Sequence, residues 1–194
     1  GSFNISTGAA LLTAAMGVRV VKHGNRSISS RSGSADLLEC LGLPQPLDEK
    51  RSGECLAATG FTFLFAPHYH PAMKEIAPVR RALGVRTVFN LLGPLTNPAE
   101  PPFGLIGAYS RDAARLMAET LAGMPIQRVF VVHGEPGWDE PTPCGPFELY
   151  DVTPGQVVRT ERNPLDCGFA RCTPQSLAGG DAAHNAIGMR AVFT

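Results

Sequence analysis

Short apolar runs alternate with stretches of helical period along this chain, and the alternation predicts an α/β domain with a largely parallel sheet. Residues 7–16 are rich in Ala and Leu and read as a helix ended by Gly17. The β-branched run at 18–21 reads as a short buried strand. Residues 34–41 make a helix closed by Gly42, residues 48–58 another helix, and residues 61–65 a strand. A helix over 70–83 carries Pro78 as a kink. Residues 105–109 read as strand, Ser110 as an N-cap and 111–122 as an amphipathic helix. The clearest strand is 128–132, where Val, Phe, Val and Val follow Arg128. A Pro- and Gly-rich loop follows at 137–146, then a small hairpin of 148–152 and 157–160 around Pro154-Gly155. Thr173-Pro174 signals a helix start. No internal repeat, linker or low-complexity tract interrupts the pattern.

Composition narrows the function classes. Apolar residues are 44% and charged residues 18% of 194, as in an ordinary globular domain large enough for a sizeable core. Lys plus Arg equals Asp plus Glu at 17 each, so no net field draws the chain to nucleic acid or to a membrane surface. Any basic site must be local. The apolar run at 61–67 is far too short to span a bilayer, and no charged-then-apolar signal segment opens the chain. The five cysteines show no two-residue-spaced pairs, which argues against zinc and a disulfide framework and predicts reduced thiols in cytoplasm.

Four segments carry candidate chemistry. The first, KHGNRSISSRSGSAD at 22–36, leaves a predicted strand with three cations, two glycines and five serines and enters a helix. Ligands of α/β sheets bind beyond the carboxyl ends of the strands, where backbone N–H groups, hydroxyls and a helix N-terminus cradle anions. Lys22 and Arg26 add charge-assisted hydrogen bonds. The second, FNIST at 3–7, offers Asn4, Ser6 and Thr7 at a helix entry; by itself it is no more than an N-cap. The third, residues 63–81, runs from a strand through His68, Tyr69 and His70 to a helix bearing Arg80 and Arg81. It can wall a flat aromatic ligand and hold a carboxylate in an arginine fork. In the fourth, residues 133–146, Asp139 and Glu140 are hard oxygen ligands suited to Mg²⁺ with phosphate oxygens, although an acidic pair in a loop is more often simply solvated. No Ser-His-Asp or Cys-His arrangement stands out.

In this order, FNIST, KHGNRSISSRSGSAD, FLFAPHYHPAMKEIAPVRRALGVRTVFNLLGPLTNPA, VVHGEPGWDE and GGDAAHNA resemble the anthranilate phosphoribosyltransferases over nearly the whole chain. The resemblance implies a phosphoribosyltransferase/nucleoside-phosphorylase-type catalytic domain with a central mixed, largely parallel sheet flanked by helices. It implies transfer of a phosphoribosyl group from phosphoribosyl pyrophosphate to the amine of anthranilate, as in tryptophan biosynthesis. Ser2, Asn4, Ser6, Thr7, Lys22, Asn25, Arg26, Ser27, Ile28, Ser29, Ser30 and Ser34 would hold phosphoribosyl pyrophosphate. His23, Asn25, Pro67, His70, Met73 and Arg80 would surround anthranilate, Ser6 would reach one Mg²⁺, and Asp139 and Glu140 would hold the second. The family's Gly-Thr-Gly-Gly-Asp loop would precede Ser2. Upstream of it would come a small helical domain through which the parent forms a homodimer, and further helices and sheet would follow Thr194. A partial catalytic domain, 1–194, is the expectation.

Three alternatives stand beside this one. A nucleoside phosphorylase of the same fold would use phosphate and a nucleoside, but KHGNR and the arginine-bearing helix argue against it. A nucleic-acid-binding relative would need a basic surface that the balanced charge does not supply. A fragment with the site residues but without full activity is the third.

Overall fold

The computed structural model describes residues 2–26, 32–83 and 87–193. In chain order its elements are α1 (Ile5–Ala15), β1 (Val20–Gly24), α2 (Ser34–Leu41), α3 (Glu49–Thr59), β2 (Phe61–Phe65), α4 (Ala66–Tyr69) and α5 (Ala72–Leu83). Next come α6 (Phe89–Leu95), β3 (Phe103–Gly107), α7 (Arg111–Ala122), β4 (Arg128–Gly134), β5 (Phe147–Thr153), β6 (Gln156–Arg162) and α8 (Ala182–Phe193). Short 3-10 helices occupy Pro164–Cys167 and Pro174–Leu177. This is an α/β chain with mixed sheets, and it divides into two units.

The first unit comprises Gly1–Gly93, Asn97–Ala99 and Ala178–Thr194. Its strands β1 and β2 pair in parallel, with Lys22 opposite Phe63 and Gly24 opposite Phe65. Both strands therefore deliver the chain at the same edge, where Asn25 and Ala66 begin the next segments. Phe61 and Phe63 of β2 form a core with Ala35 and Leu38 of α2, against which Ala10, Leu11 and Ala14 of α1 pack. Leu37, on another face of α2, joins Ala186 and Met189 of α8. Each such large apolar side chain, fully buried, contributes about 1.5–3 kcal/mol. Glycines close the helices: Gly42 at φ 101° after α2 and Gly60 at φ 74° after α3 adopt the left-handed conformation that side chains resist.

The amino-terminal segment is tied to α8. Ser2 bridges Ala178 in antiparallel fashion. The fully buried Asn185 accepts from Gly180 N at 2.9 Å and donates to Gly180 O at 3.3 Å. A Cβ at Gly179 would lie only 2.9 Å from Asn185 Oδ1, so glycine is required there.

The second unit comprises Pro94–Thr96 and Glu100–Leu177 and is built on the sheet β3-β4-β5-β6. β3 and β4 are parallel; β4–β5 and β5–β6 are antiparallel. The buried residues of α7 (Ala113, Ala114, Met117, Ala118 and Leu121) recur at helical spacing and face β4 and β5. Ser110 starts α7 by accepting from Ala113 N at 3.2 Å. Glu148, Tyr150 and Val152 alternate into the interior along β5, and Gly155 at φ 72° turns the hairpin to β6.

The structure differs from the sequence expectation in particular places. The helix expected over 70–83 is α5, which starts two residues later at Ala72, and His70 (φ −125°, ψ 68°) instead ends a separate short helix, α4, that precedes it. Pro71 excludes the helical conformation from the residue before it. Pro78 lies inside α5. The first strand runs two to three residues later than its β-branched signal and includes Lys22, His23 and Gly24. Helix α6 contains Gly93 and Pro94, residues that read as helix breakers.

Candidate functional site

The ends of β1 and β2 gather most of the predicted residues of the first unit. Lys22 Nζ donates to Ser6 Oγ at 3.1 Å, joining β1 to the first turn of α1. Asn4 stands in front of that helix in the left-handed conformation (φ 68°, ψ 55°), which Asn tolerates better than most residues. Its side chain is fixed on both sides: Nδ2 donates to Ser32 O at 3.3 Å, and Oδ1 accepts from the Thr7 hydroxyl at 2.7 Å. Thr7 is fully buried, so its hydroxyl holds Asn4 in place. The structure thereby draws the 3–7 segment, the end of β1 and the approach to α2 into one polar region. Ser27, Ile28, Ser29 and Ser30 lie outside the described residues.

Asn25 and Arg26 brace the two ends of that segment. Asn25 Oδ1 accepts from Arg26 N at 2.7 Å, and its carbonyl accepts from Ala35 N at 3.3 Å in the turn that begins with Ser34. Arg26 Nη1 donates to Asp36 Oδ1 at 2.9 Å and Glu39 Oε2 at 2.8 Å, while Nη2 donates to Glu39 Oε1. The two carboxylates of α2, Glu39 foremost, hold the guanidinium pKa above its already high range. Asp36 also accepts from Gly33 N at 3.0 Å, so one carboxylate serves both ends of the segment. Asp36 and Glu39 were not signalled by the sequence as site residues; only their three-residue spacing on α2 marks them as one face.

His23 of β1 and His70 after α4 stand edge to face, with ring centroids 5.1 Å apart. Burial, and then the neighbouring His70, lower the His23 pKa from 6.5 to about 4 against a hydrogen bond with the Gly93 backbone. The ring is therefore neutral at pH 7. Its Nε2 is buried without a hydrogen-bond partner among the described residues. Half-buried Pro67 lies in the first turn of α4, and the Tyr69 hydroxyl lies 3.3 Å from Ser52 Oγ, anchoring that short helix. The side chains of Met73 and Arg80, both carried by α5, lie outside the described residues. Asn97 is a residue the sequence reading passed over: its Nδ2 donates to Val21 O at 3.1 Å, bracing β1 just before Lys22.

In the second unit, Asp139 and Glu140 sit side by side on the loop after β4. Gly134 and Trp138 exchange backbone hydrogen bonds of 2.9 Å each, which folds the loop back on the strand. A Cβ on Gly107 would overlap the Asp139 carbonyl, and one on Gly134 the Glu140 carbonyl. Gly107 and Gly134 are the last residues of the parallel strands β3 and β4, so the acidic loop lies directly on their carboxyl ends. Asp139 is exposed and Glu140 half-buried. Among the described residues, no three His, Cys, Asp or Glu side chains gather to hold a metal. Two carboxylates suit Mg²⁺ that takes its other ligands from phosphate and water, as Mg²⁺ commonly does. A cavity of about 210 Å³ nearby is lined by Arg111, His133 and Glu148 and not by the acidic pair. Burial raises the Glu148 pKa, but Arg159, Tyr150 and Arg111 outweigh it and hold the carboxyl below its ordinary value.

Comparison with known proteins gives this arrangement relatives. Residues 1–194 match the model of the glycosyl transferase family, a/b domain. The chain is 46% identical over 193 residues to anthranilate phosphoribosyltransferase of Azorhizobium caulinodans, a match that spans 100% of this chain and 56% of the relative. The crystal structure of anthranilate phosphoribosyltransferase from Thermus thermophilus superposes with a TM-score of 0.87 at 48% identity, covering 98% of this chain and 56% of that one. The Saccharomyces cerevisiae enzyme in complex with PRPP and Mg gives 0.88 at 29% identity, covering 97% and 52%. The chain thus spans about half the length of the relatives it matches.

Proposed function

This chain belongs to the glycosyl transferase family, a/b domain, and on that footing we propose that its protein transfers the phosphoribosyl group of phosphoribosyl pyrophosphate to the amine of anthranilate. The observation that carries the proposal is the convergence of Asn4, Ser6, Lys22 and Ser32 at the end of β1. Hydroxyls, an amide and a cation drawn together beside the start of α2 are what a phosphorylated sugar requires. The relatives' names supply the acceptor.

Chemically the step is a displacement at the anomeric carbon. The aromatic amine is neutral at pH 7, its lone pair attacks, pyrophosphate leaves with inversion, and the acidic arylammonium so formed gives up one proton to water or to the departing pyrophosphate. No strong base is needed. Lys22 neutralises phosphate charge and the hydroxyl of Ser6 orients it, so the contribution of these residues is positioning and electrostatic stabilisation. Ser2, Asn25 and Ser34, with residues 27–30, complete the phosphate cradle. Arg26 acts on it from the side, through α2. His70 and the neutral His23, with Pro67 and Met73, border the anthranilate ring, and Arg80 takes its carboxylate. Ser6 would reach one Mg²⁺ and Asp139 and Glu140 would hold a second, and such ions when bound offset charge on the departing pyrophosphate. We read the chain as part of a catalytic domain whose parent is a cytoplasmic homodimer joined through a helical domain.

Calorimetric titration of the chain with phosphoribosyl pyrophosphate and Mg²⁺, beside anthranilate turnover by the full-length parent, tests the proposal. Binding here and turnover there are expected. A parent that cleaves a nucleoside with inorganic phosphate and ignores anthranilate would replace it with the phosphorylase reading.

A further inference from the structure

We infer that Cys144 and Cys172 form a redox-modification site, a thiol pair that takes a small disulfide oxidant and closes reversibly across the acidic loop. Their sulfurs are 3.9 Å apart, in contact but unbonded, and both residues are half-buried. What brings them together is independent of the sulfurs. Cys172 N donates to Pro143 O at 3.2 Å, which holds the two backbones side by side. On the other strand of this contact, Cys144 N donates to Thr142 Oγ1 at 3.3 Å, and Thr142, itself buried, donates to Glu135 O at 3.1 Å. Gly145 adds to the constraint, since a Cβ there would lie 2.7 Å from Glu135 Cβ. A disulfide needs its sulfurs about 2.05 Å apart and its Cβ atoms at about 3.5–4.5 Å. Sulfurs already in contact reach that by side-chain rotation and a small loop adjustment.

The remaining cysteines are placed differently. Cys55 Sγ donates to Phe61 O at 3.3 Å, and Cys40 and Cys167 are exposed. The absence of two-residue spacing in the sequence hides the pair, because folding and not proximity along the chain assembles it.

The chemistry balances with glutathione disulfide as oxidant. The thiolate of either cysteine attacks one glutathione sulfur, and the first glutathione thiolate leaves. The second cysteine thiolate attacks the protein sulfur of this mixed disulfide and expels the second glutathione. Two electrons pass from the cysteine pair to the oxidant, and the two thiol protons finish on the departing glutathione molecules. Because Cys144 lies in the loop that bears Asp139 and Glu140, the bond fastens that loop to the segment before Pro174–Leu177.

The test is thiol counting and peptide mapping on the native chain exposed to glutathione disulfide. Of the five thiols, two should disappear without a retained adduct, and dithiothreitol should restore them. Trypsin separates the candidates, since Cys144 falls in peptide 129–159, Cys167 in 163–171 and Cys172 in 172–190. Peptides 129–159 and 172–190 should appear joined, lighter by two hydrogens than their sum. In urea the links should scatter over all five cysteines, which assigns the selectivity to the fold. In Cys172→Ser, Cys144 should retain one glutathione, because the resolving thiol is gone. Free thiols at 144 and 172 after oxidation, a link to 163–171 in the native chain, persistent adducts on peptides 129–159 or 172–190 of wild type, or an unreactive Cys144 in that variant would each overturn the inference.

Discussion

Lys22 Nζ and Ser6 Oγ meet at 3.1 Å, setting the cation at the end of β1 against the hydroxyl at the start of α1. If this pair receives phosphate, Lys22→Ala removes a charge-assisted hydrogen bond of about 1.5–3 kcal/mol, and binding of phosphoribosyl pyrophosphate should weaken roughly 10- to 150-fold. In the full-length parent, the Michaelis constant for anthranilate should move far less. Equal effects on both substrates would remove Lys22 from the phosphate site.

Stability should depend on pH through His23. Its folded pKa of about 4 lies below the ordinary 6.5, so between those values the unfolded chain binds a proton that the folded chain refuses. The contribution is complete above pH 6.5 and is lost as pH falls towards 4. Allowing for partial solvent screening, the loss is roughly 1–2 kcal/mol. Thermal melts at pH 7 and pH 4.5 should show that His23→Gln narrows the difference; an equal drop in both proteins would acquit this residue.

Arg26 is engaged on both sides by Asp36 and Glu39, and its side chain is about half exposed (46%). Partly exposed ion pairs are weak singly, but this guanidinium is shared by two carboxylates, so Arg26→Ala should lose about 1 kcal/mol. That corresponds to a melting temperature lower by about 2–4 °C in a chain of this size. Glu39→Gln should reproduce part of the drop. If Glu39→Gln melts like wild type while Arg26→Ala loses phosphosugar binding alone, then Arg26 works as a direct phosphate ligand and not as a brace.

Gly107 admits the Asp139 carbonyl where a Cβ would overlap it. Gly107→Ala should push the acidic loop off the end of β3 and lose about 1–3 kcal/mol, as overpacking commonly does. Gly104, three residues earlier on the same strand, has its nearest would-be neighbour at 3.5 Å, and Gly104→Ala is the control that should be tolerated. Calorimetry should also find Mg²⁺ binding weakly to the free chain and more tightly with phosphoribosyl pyrophosphate present. Asp139→Asn should abolish only the second effect. Tight binding to the free chain would point to a metal site of another kind.

The sequence disclosed what is local and hid what is not. Ser110 before an amphipathic run, Pro154-Gly155 between alternating segments and Gly42 after α2 are punctuation that physics reads at short range, and each stands where expected. The helix expected over 70–83 begins only at Ala72, because Pro71 holds His70 outside the helical conformation. The acidic pair on its loop and the cationic segment after a strand were legible as chemistry. Long-range effects were not: Asn97 reaching Val21, Glu39 engaging Arg26, and Gly107 making room for Asp139 depend on neighbours far along the chain. Glycine at a strand end looks the same in sequence whether it makes a turn or a cradle.

The bridge between Ser2 and Ala178 has a consequence for how the polypeptide is made. Synthesis is vectorial, and the partners of Phe3 and Leu37, namely Ala186 and Met189, are among the last of these residues to leave the ribosome. The residues from Glu100 to Leu177 have their own sheet and hydrophobic interior and are all synthesised before α8 exists. The inserted unit can thus fold during translation, while the unit that carries Lys22 must wait, half built, for its closing helix.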